Sequence, residues 1–404
     1  MSAQIVDLRH VAQAFGLRCI KKENLDSYFA VTAPGVEEFT ALELTRLGIS
    51  PSLPAEEGGL VFSGGLPALY RANLHLRSAS RILARLGQWF YARDFGELRE
   101  RAARLPWERF LTPGQPVSLR VTCHKSKLYH SDAVAERVVA AIADRLGKES
   151  PVQKAADEDF SAQRIVVLLD SDRATVSVDS SGELLHRRGY RLASAKAPLR
   201  ETLAAALLLA SGWDGVSPLL DPFCGSGTIP IEAALLALGL PPGRNRRFAF
   251  MDWPDFDAAL WQSLCADADA ARPAAPPPFI FAADRDAGAI KMAQENAARA
   301  GVEQFIQFRC QALSNLHRAP LDTLTPGWLV TNPPYGIRVS EGKDLRNLYA
   351  QFGNVLRAGF RGWQIGVLSS DLALLGQMKI KLDNSLCLVN GGVNVTFGRG
   401  KVGG

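Results

Sequence analysis

At 404 residues the chain exceeds what one hydrophobic core usually holds, so two or more domains are expected. With 47% hydrophobic and 22% charged residues, the composition excludes a disordered or fibrous protein. Apolar runs such as Leu203 to Ala210 are far shorter than the roughly 20 residues that span a bilayer, so no membrane span and a cytoplasmic setting are expected.

Residues 1–27 carry apolar positions without a cap or turn context and form an unassigned N-terminal extension. Tyr28 to Thr32 then reads as a strand, Pro34-Gly35 as a turn, and Val36 to Leu47 as an amphipathic helix stopped by Gly48. A short strand at Gly59 to Phe62, a helix at Leu66 to Arg77 and a strand at Arg81 to Phe90 complete a first small α+β unit. A second unit follows. It has a helix at Phe95 to Arg104, a strand at Pro116 to Cys123, a helix at Ser131 to Leu146, and paired strands at Arg164 to Asp170 and Arg173 to Asp179.

Four basic residues and Gly189 interrupt the periodicity between Arg187 and Ala197, as an interdomain connection does. Beyond it the pattern changes to helices alternating with short apolar strands. The helices are Glu201 to Ser211, Ile229 to Leu238, Ala287 to Ala300 and Leu345 to Phe352. The strands are Pro218 to Leu220, Phe279 to Ala282, Ile306 to Cys310, Trp328 to Thr331 and Gln364 to Ser369. This alternation predicts a parallel doubly wound sheet, closed by a hairpin of Leu386 to Val389 and Val393 to Phe397. The Ala- and Pro-rich stretch Ala266 to Pro278 is expected to be a mobile loop.

Two turns sit where such a sheet holds its ligand. Asp221, Pro222, Phe223, Cys224, Gly225, Ser226, Gly227 and Thr228 join an apolar strand to a helix. The two glycines let backbone approach a cofactor, and Asp221 can accept from an amine or hydroxyl. The third position of a dinucleotide-binding glycine fingerprint is Pro230, which disfavours a nicotinamide cofactor. At the next strand end Asp284 is placed to bond the two hydroxyls of a ribose.

The most specific signal is Asn332-Pro333-Pro334-Tyr335 after the strand ending at Thr331. The Asn332 side-chain oxygen and the Pro333 carbonyl can accept from one NH2 group, drawing its lone pair out of conjugation and making the nitrogen nucleophilic. Tyr335 can stack on a base, a contact worth about 1 to 3 kcal/mol. In-line methyl transfer then relies on proximity and orientation rather than on a strong general base.

These motifs resemble the class I S-adenosylmethionine methyltransferases with the Asn-Pro-Pro-Tyr signature. The upstream strings Asp179-Ser-Ser-Gly-Glu-Leu-Leu-His-Arg-Arg-Gly-Tyr-Arg191 and Ala197-Pro-Leu-Arg-Glu-Thr-Leu-Ala-Ala205 are similar to the RlmL/YpsC-type guanine-N2 methyltransferases. The resemblance implies a Rossmann-like methyltransferase domain at 187–404. Ahead of it come a ferredoxin-like α+β segment at 28–90 and a THUMP RNA-binding domain at 91–186. It also implies S-adenosyl-L-methionine as cofactor and adds Thr202, Arg285, Gln311 and Ala312 to the donor site. Two of these depart from the family pattern. Gln311-Ala312 stands where an acidic residue usually holds the adenine amino group, and Arg285 replaces an apolar adenine neighbour.

The expected reaction is methylation of the N2 amino group of a guanine in 23S rRNA. A tRNA guanine is the second reading, and a non-catalytic RNA-binding or ribosome-assembly factor the third. Between Arg71 and His130 there are 12 Lys and Arg against 4 Asp and Glu, a local excess that points to RNA. Arg81, Arg85, Lys125, Lys127, Arg187 and Arg188 are the candidate contacts, whereas Trp89, Phe90, Tyr91 and Trp107 are expected in the core. Deleting 28–179 is expected to abolish RNA affinity and spare donor binding. The six cysteines are scattered singly, and no metal site is expected.

Overall fold

A computed structural model describes residues 26–56, 58–153, 161–191, 199–316, 326–335 and 344–403. Most of the N-terminal extension, Cys19 and the Ala197-Pro198 part of the family-like string lie outside the described residues.

The first half begins with β1 (Asp26–Val31), α1 (Glu37–Arg46), β2 (Gly59–Gly64), α2 (Leu66–His75) and β3 (Arg81–Arg85). Alternation in β1 turns Tyr28 and Ala30 inward. The strand expected to run from Arg81 to Phe90 breaks after Arg85. Gly87 turns the chain at φ +72°, a conformation a side chain rarely adopts, and only β4 (Phe90–Tyr91) resumes.

There follow α3 (Phe95–Ala103), β5 (Val117–His124), α4 (Ser131–Leu146), β6 (Gln163–Asp170) and β7 (Arg173–Asp179). Asp94 caps α3 by accepting from Glu97 N, and Gly147 ends α4 in the left-handed region. The two α+β units share one seven-stranded sheet, ordered β2-β1-β3-β7-β6-β5 with β4 also on β7. Antiparallel pairing of β3 with β7, Leu83 opposite Asp179, joins them.

The second half contains α5 (Glu201–Ala210), β8 (Leu219–Asp221), α6 (Thr228–Ala237), α7 (Ala258–Ala270), β9 (Ile280–Asp284), α8 (Ala287–Ala300) and β10 (Ile306–Cys310). It continues through β11 (Trp328–Thr331), α9 (Arg346–Gly359), β12 (Gln364–Ser369), α10 (Leu372–Gln377), β13 (Leu382–Asn390) and β14 (Val393–Lys401). The sheet order is β10-β9-β8-β11-β12-β14-β13. Pairing is parallel from β10 to β12 and antiparallel at β14 and β13, a Rossmann-like α/β sheet closed by a hairpin.

Helix α7 corrects the loop expected from Ala266. Asp257 caps it, accepting from Leu260 N at 2.9 Å, and its alanines favour helix until the Pro-rich stretch that opens at Pro273. None of the described helices is long and apolar enough to cross a membrane.

Each half lends side chains to the core of the other. Val36 and Phe39, beside and on α1, pack with Leu203, Leu207 and Leu388 of the second half. Phe248, Phe250, Trp253 and Leu264 pack with Tyr70 and Trp107 of the first. The Tyr70 and Phe250 rings stack with centroids 4.5 Å apart, and Trp253 Nε1 donates to Gln163 Oε1 at 2.8 Å. Gly35 is required by this closeness: φ is +85°, and a Cβ there would meet the Cys387 carbonyl oxygen of β13.

A buried charge network runs along the same seam. Arg188 donates to Glu232 of α6 and to the Arg77 carbonyl, and Tyr190 Oη donates to Glu232 at 2.9 Å. Arg77 donates to the carbonyls of Leu235 and Leu240, while its own N–H and that of Ser78 are accepted by Glu43 at 2.9 Å.

Arg81 is similarly buried and ion-paired with Asp179. Arg81 and Arg188, expected among the RNA contacts, are therefore interior residues. A guanidinium already paired and shielded from water has no face left for phosphate.

Candidate active site

In the second sheet the connections leave β8 toward β9 and β10 on one side and return through β11 and β12 on the other. The switch point lies between β8 and β11, the place where open α/β sheets hold ligands beyond the strand C-termini. Asp221 ends β8 and Thr331 ends β11, and Thr331 Oγ1 donates to Asp221 Oδ1 at 2.6 Å. This bond ties the glycine turn to the Asn332 motif. Thr331 was not singled out in the sequence, although its place before Asn332 was a usable signal.

The two glycines of the turn differ in role. Gly225 has φ +51° and open space where a Cβ would stand, so a ligand can come up to its backbone. Gly227 has φ +83°, and a Cβ there would lie 2.9 Å from Ala293 Cβ, so it serves close packing of the turn on α8. The turn is further held by Asn296 Nδ2 donating to the Ser226 carbonyl at 3.0 Å and by Cys224 N donating to the Ala283 carbonyl at 2.9 Å.

Asp284 Oδ2 accepts from Gly225 N at 3.0 Å and Oδ1 from Asp286 N at 3.0 Å. Asp286, not Asp284, caps α8, which leaves the half-buried Asp284 carboxylate at the mouth of the turn. Gln311 N donates to the Asp284 carbonyl at 2.9 Å, so Gln311 and Ala312 adjoin it from β10, with exposed Arg285 beside them. Thr202 is buried in α5, which packs on α6. Pro222 and Phe223 complete the turn, and the Phe223 ring meets Phe352 of α9 edge-on with centroids 5.2 Å apart.

Burial pushes the Asp221 carboxyl up to about 7, against the lowering from the Thr331 hydroxyl and the Phe223 N–H, with Asp284 raising it further. Below that value the fold favours the protonated form, and only the ionised form can pair with an ammonium group.

The Asn332 Oδ1 atom is buried and has no hydrogen-bond partner among the described residues. Leaving such an acceptor unsatisfied costs about 1 to 3 kcal/mol, which an incoming N–H donor removes. Pro333 beside it is buried, and the Pro334 carbonyl lies 3.4 Å from Tyr349 Oη, which donates to it. The Tyr335 hydroxyl accepts from Asn390 Nδ2 at 3.1 Å. Asn390 sits at the tip of the β13–β14 hairpin, a position marked in the sequence only by Asn-Gly-Gly. Asn390→Leu frees the ring, and kcat/KM for the acceptor is expected to fall about tenfold, the worth of one hydrogen bond, with donor affinity unchanged. Steady-state kinetics with separate titration of each substrate checks this.

Lys125 and Lys127 are exposed in the loop after β5. Arg85 pairs with Glu56 at 2.5 Å and lies over the Phe29 ring at 5.1 Å. Arg187 pairs with Glu183 at 3.5 Å and lines a cleft of about 660 Å³ with Arg246 and Asn245. Trp107 is in the core as expected, and Phe90 packs against it. Trp89 and Tyr91 are instead exposed, so the strand alternation sends them outward.

Comparison with known proteins identifies the parts. The RlmL ferredoxin-like domain matches residues 27–83, the THUMP domain 92–179, and the RMKL-like methyltransferase domain 188–396. Ribosomal RNA large subunit methyltransferase K/L of Syntrophotalea carbinolica is 38% identical over 371 residues, 90% of this chain and 52% of that one. The chain thus spans about half the length of that relative. The Synechocystis sp. protein slr0064 is 35% identical over 381 residues, 92% of this chain and 95% of that one. The crystal structure of SMU.472 complexed with SAH superimposes with a TM-score of 0.83 at 30% identity, covering 94% of this chain and 98% of that one. The chain belongs to the RMKL-like methyltransferase family, in the form that joins an RlmL ferredoxin-like domain and a THUMP domain to the catalytic domain.

Proposed function

We propose that this chain methylates the exocyclic N2 amino group of a guanine in 23S rRNA, with S-adenosyl-L-methionine as methyl donor. The observation that carries the reading is the buried Asn332 Oδ1, without a partner among the described residues and tied through Thr331 to the Asp221 turn at the switch point of the sheet. The donor turn fits the cofactor: Gly225 leaves open space, Asp221 can take an ammonium, and Asp284 can take ribose hydroxyls. SMU.472 binds SAH on the same fold. The K/L relative is named for large-subunit ribosomal RNA, and a THUMP domain precedes the catalytic domain here. As working boundaries we take 28–90, 91–186 and 187–404.

When bound, the cofactor supplies an electrophilic methyl group on a positively charged sulfur. Asn332 Oδ1 and the Pro333 carbonyl hold the acceptor NH2 and localise its lone pair, and Tyr335 carries the base plane. Held there, the nitrogen would gain the methyl carbon as the carbon–sulfur bond of the bound donor broke, its surplus proton passing to solvent. The chain's contribution is orientation of two groups at about 3 Å, without a strong base.

Radiolabelled methyl transfer to unmodified 23S rRNA and, in parallel, unmodified tRNA, followed by nucleoside mass spectrometry, tests the proposal. N2-methylguanosine in rRNA is the expected product, whereas label confined to tRNA selects the other substrate. RNA binding without transfer selects an assembly factor.

The raised Asp221 carboxyl predicts a pH dependence. SAH affinity is expected to fall about tenfold per pH unit below about 7, since a proton must leave before the ammonium can pair. Calorimetric titration at several pH values checks it, and Asp221→Asn should remove the slope.

A further inference from the structure

Three aromatic side chains are strongly exposed among the described residues: Trp89 (51%), Tyr91 (45%) and Tyr129 (69%). All three belong to one end of the first sheet. There Tyr91 on β4 lies opposite Arg173 on β7, Arg173 opposite Asp170 on β6, and Asp170 opposite His124 on β5. This row crosses three strand spacings, about 14 Å. It runs on into the loop that carries Lys125, Lys127 and Tyr129.

The rings are set rather than loose. Trp89 and Tyr91 meet edge to face at 5.4 Å and 85°. The Arg173 guanidinium lies over the Trp89 ring at 5.5 Å and that of Arg93 over the Tyr91 ring at 5.6 Å. The rim below is tied by Asp172, whose Oδ1 accepts from Lys127 N at 2.7 Å, whose N–H donates to Ser126 Oγ at 3.0 Å and whose carbonyl accepts from Ala92 N at 2.9 Å. Asp170 is occupied by His124 and Ser171. Asp172 also pairs with the largely exposed Arg93 at 4.0 Å. Four cations, Arg93, Arg173, Lys125 and Lys127, thus stand against the two carboxylates of Asp170 and Asp172, and the rim is cationic.

We propose that the Trp89–Tyr91 pair is a stacking platform for unpaired bases of RNA, with Arg93, Arg173, Lys125 and Lys127 following the phosphates. This rests on the RNA reading above and names where the unpaired strand is held. Exposed rings with cations interleaved suit a strand whose bases are splayed out, because every base offers a π-face and every nucleotide a phosphate. A paired duplex keeps its bases stacked on one another and offers the platform nothing but phosphate.

The test compares wild type, Trp89→Ala/Tyr91→Ala and Trp89→Phe/Tyr91→Phe by fluorescence anisotropy on a labelled 12-nucleotide RNA, single-stranded and as a duplex. The alanine pair is expected to weaken single-strand binding about 5- to 100-fold while duplex binding changes little, and the phenylalanine pair to restore most of it. SAH affinity should stay at the wild-type value in both, which shows that the catalytic half is intact. In a salt titration, Lys125→Ala/Lys127→Ala should flatten the dependence of binding on ionic strength by about two phosphate contacts.

Unchanged single-strand affinity in the alanine pair, with wild type binding RNA and transferring methyl, overturns the platform alone. Equal losses on single strand and duplex overturn base stacking in the same way. A wild type that binds no RNA overturns the platform and the proposed function together.

Discussion

Asn332→Ala is expected to lower kcat for methyl transfer about 10²- to 10³-fold while leaving SAH affinity within twofold of wild type. The magnitude is that of removing one preorganised polar contact from a developing charge in a water-poor site. The structure separates the two effects. Among the described residues Asn332 Oδ1 makes no bond, and the donor turn is held by Asp284, Asn296 and Thr331 through bonds that do not involve it. Single-turnover transfer beside calorimetric SAH binding reads both numbers. A kcat near wild type would remove Asn332 from the chemistry and with it the main support for amino-group methylation.

Glu232→Ala is expected to cost about 3 to 5 kcal/mol of stability, read from urea unfolding. Removing one member of a buried ion pair strands the other. Glu232 is fully buried and takes Arg188, Tyr190 and, at 3.9 Å, Arg77, so its loss leaves two guanidiniums without their carboxylate. Replacing Arg188 by Met at the same time should recover part of the loss, because the least solvated cation goes with its partner. Additive losses in the double variant would show that the pair is not coupled.

What the sequence disclosed was local. The donor turn and the Asn332 motif each lie within eight consecutive residues between a strand and a helix, so both could be read from spacing and residue type. The roles of Arg81 and Arg188 could not. Their acidic partners lie 98 and 44 positions further along, and a paired arginine looks the same in a sequence as a free one. Trp89 and Tyr91 were hidden for a related reason: their outward direction depends on Gly87 breaking the strand, after which Phe90 alone points inward. The Ala-rich stretch misled through its prolines, which begin only after α7 has ended. Continuity of the first sheet across β3 and β7 rests on a pairing nearly a hundred residues apart, which no local pattern announces.

The exchange of side chains between the two cores bears on how such a protein can change. A cut at 28–179 takes Val36 and Phe39 out of the catalytic core and uncovers Phe250 and Trp253, so the clean separation expected from the sequence is not available. The first half is therefore no interchangeable cartridge. A lineage could not exchange that half by recombination of whole segments without remaking two interiors at once. It would have to change that half by single substitutions on the exposed rim, with the span from the rim to Asn332 inherited unaltered.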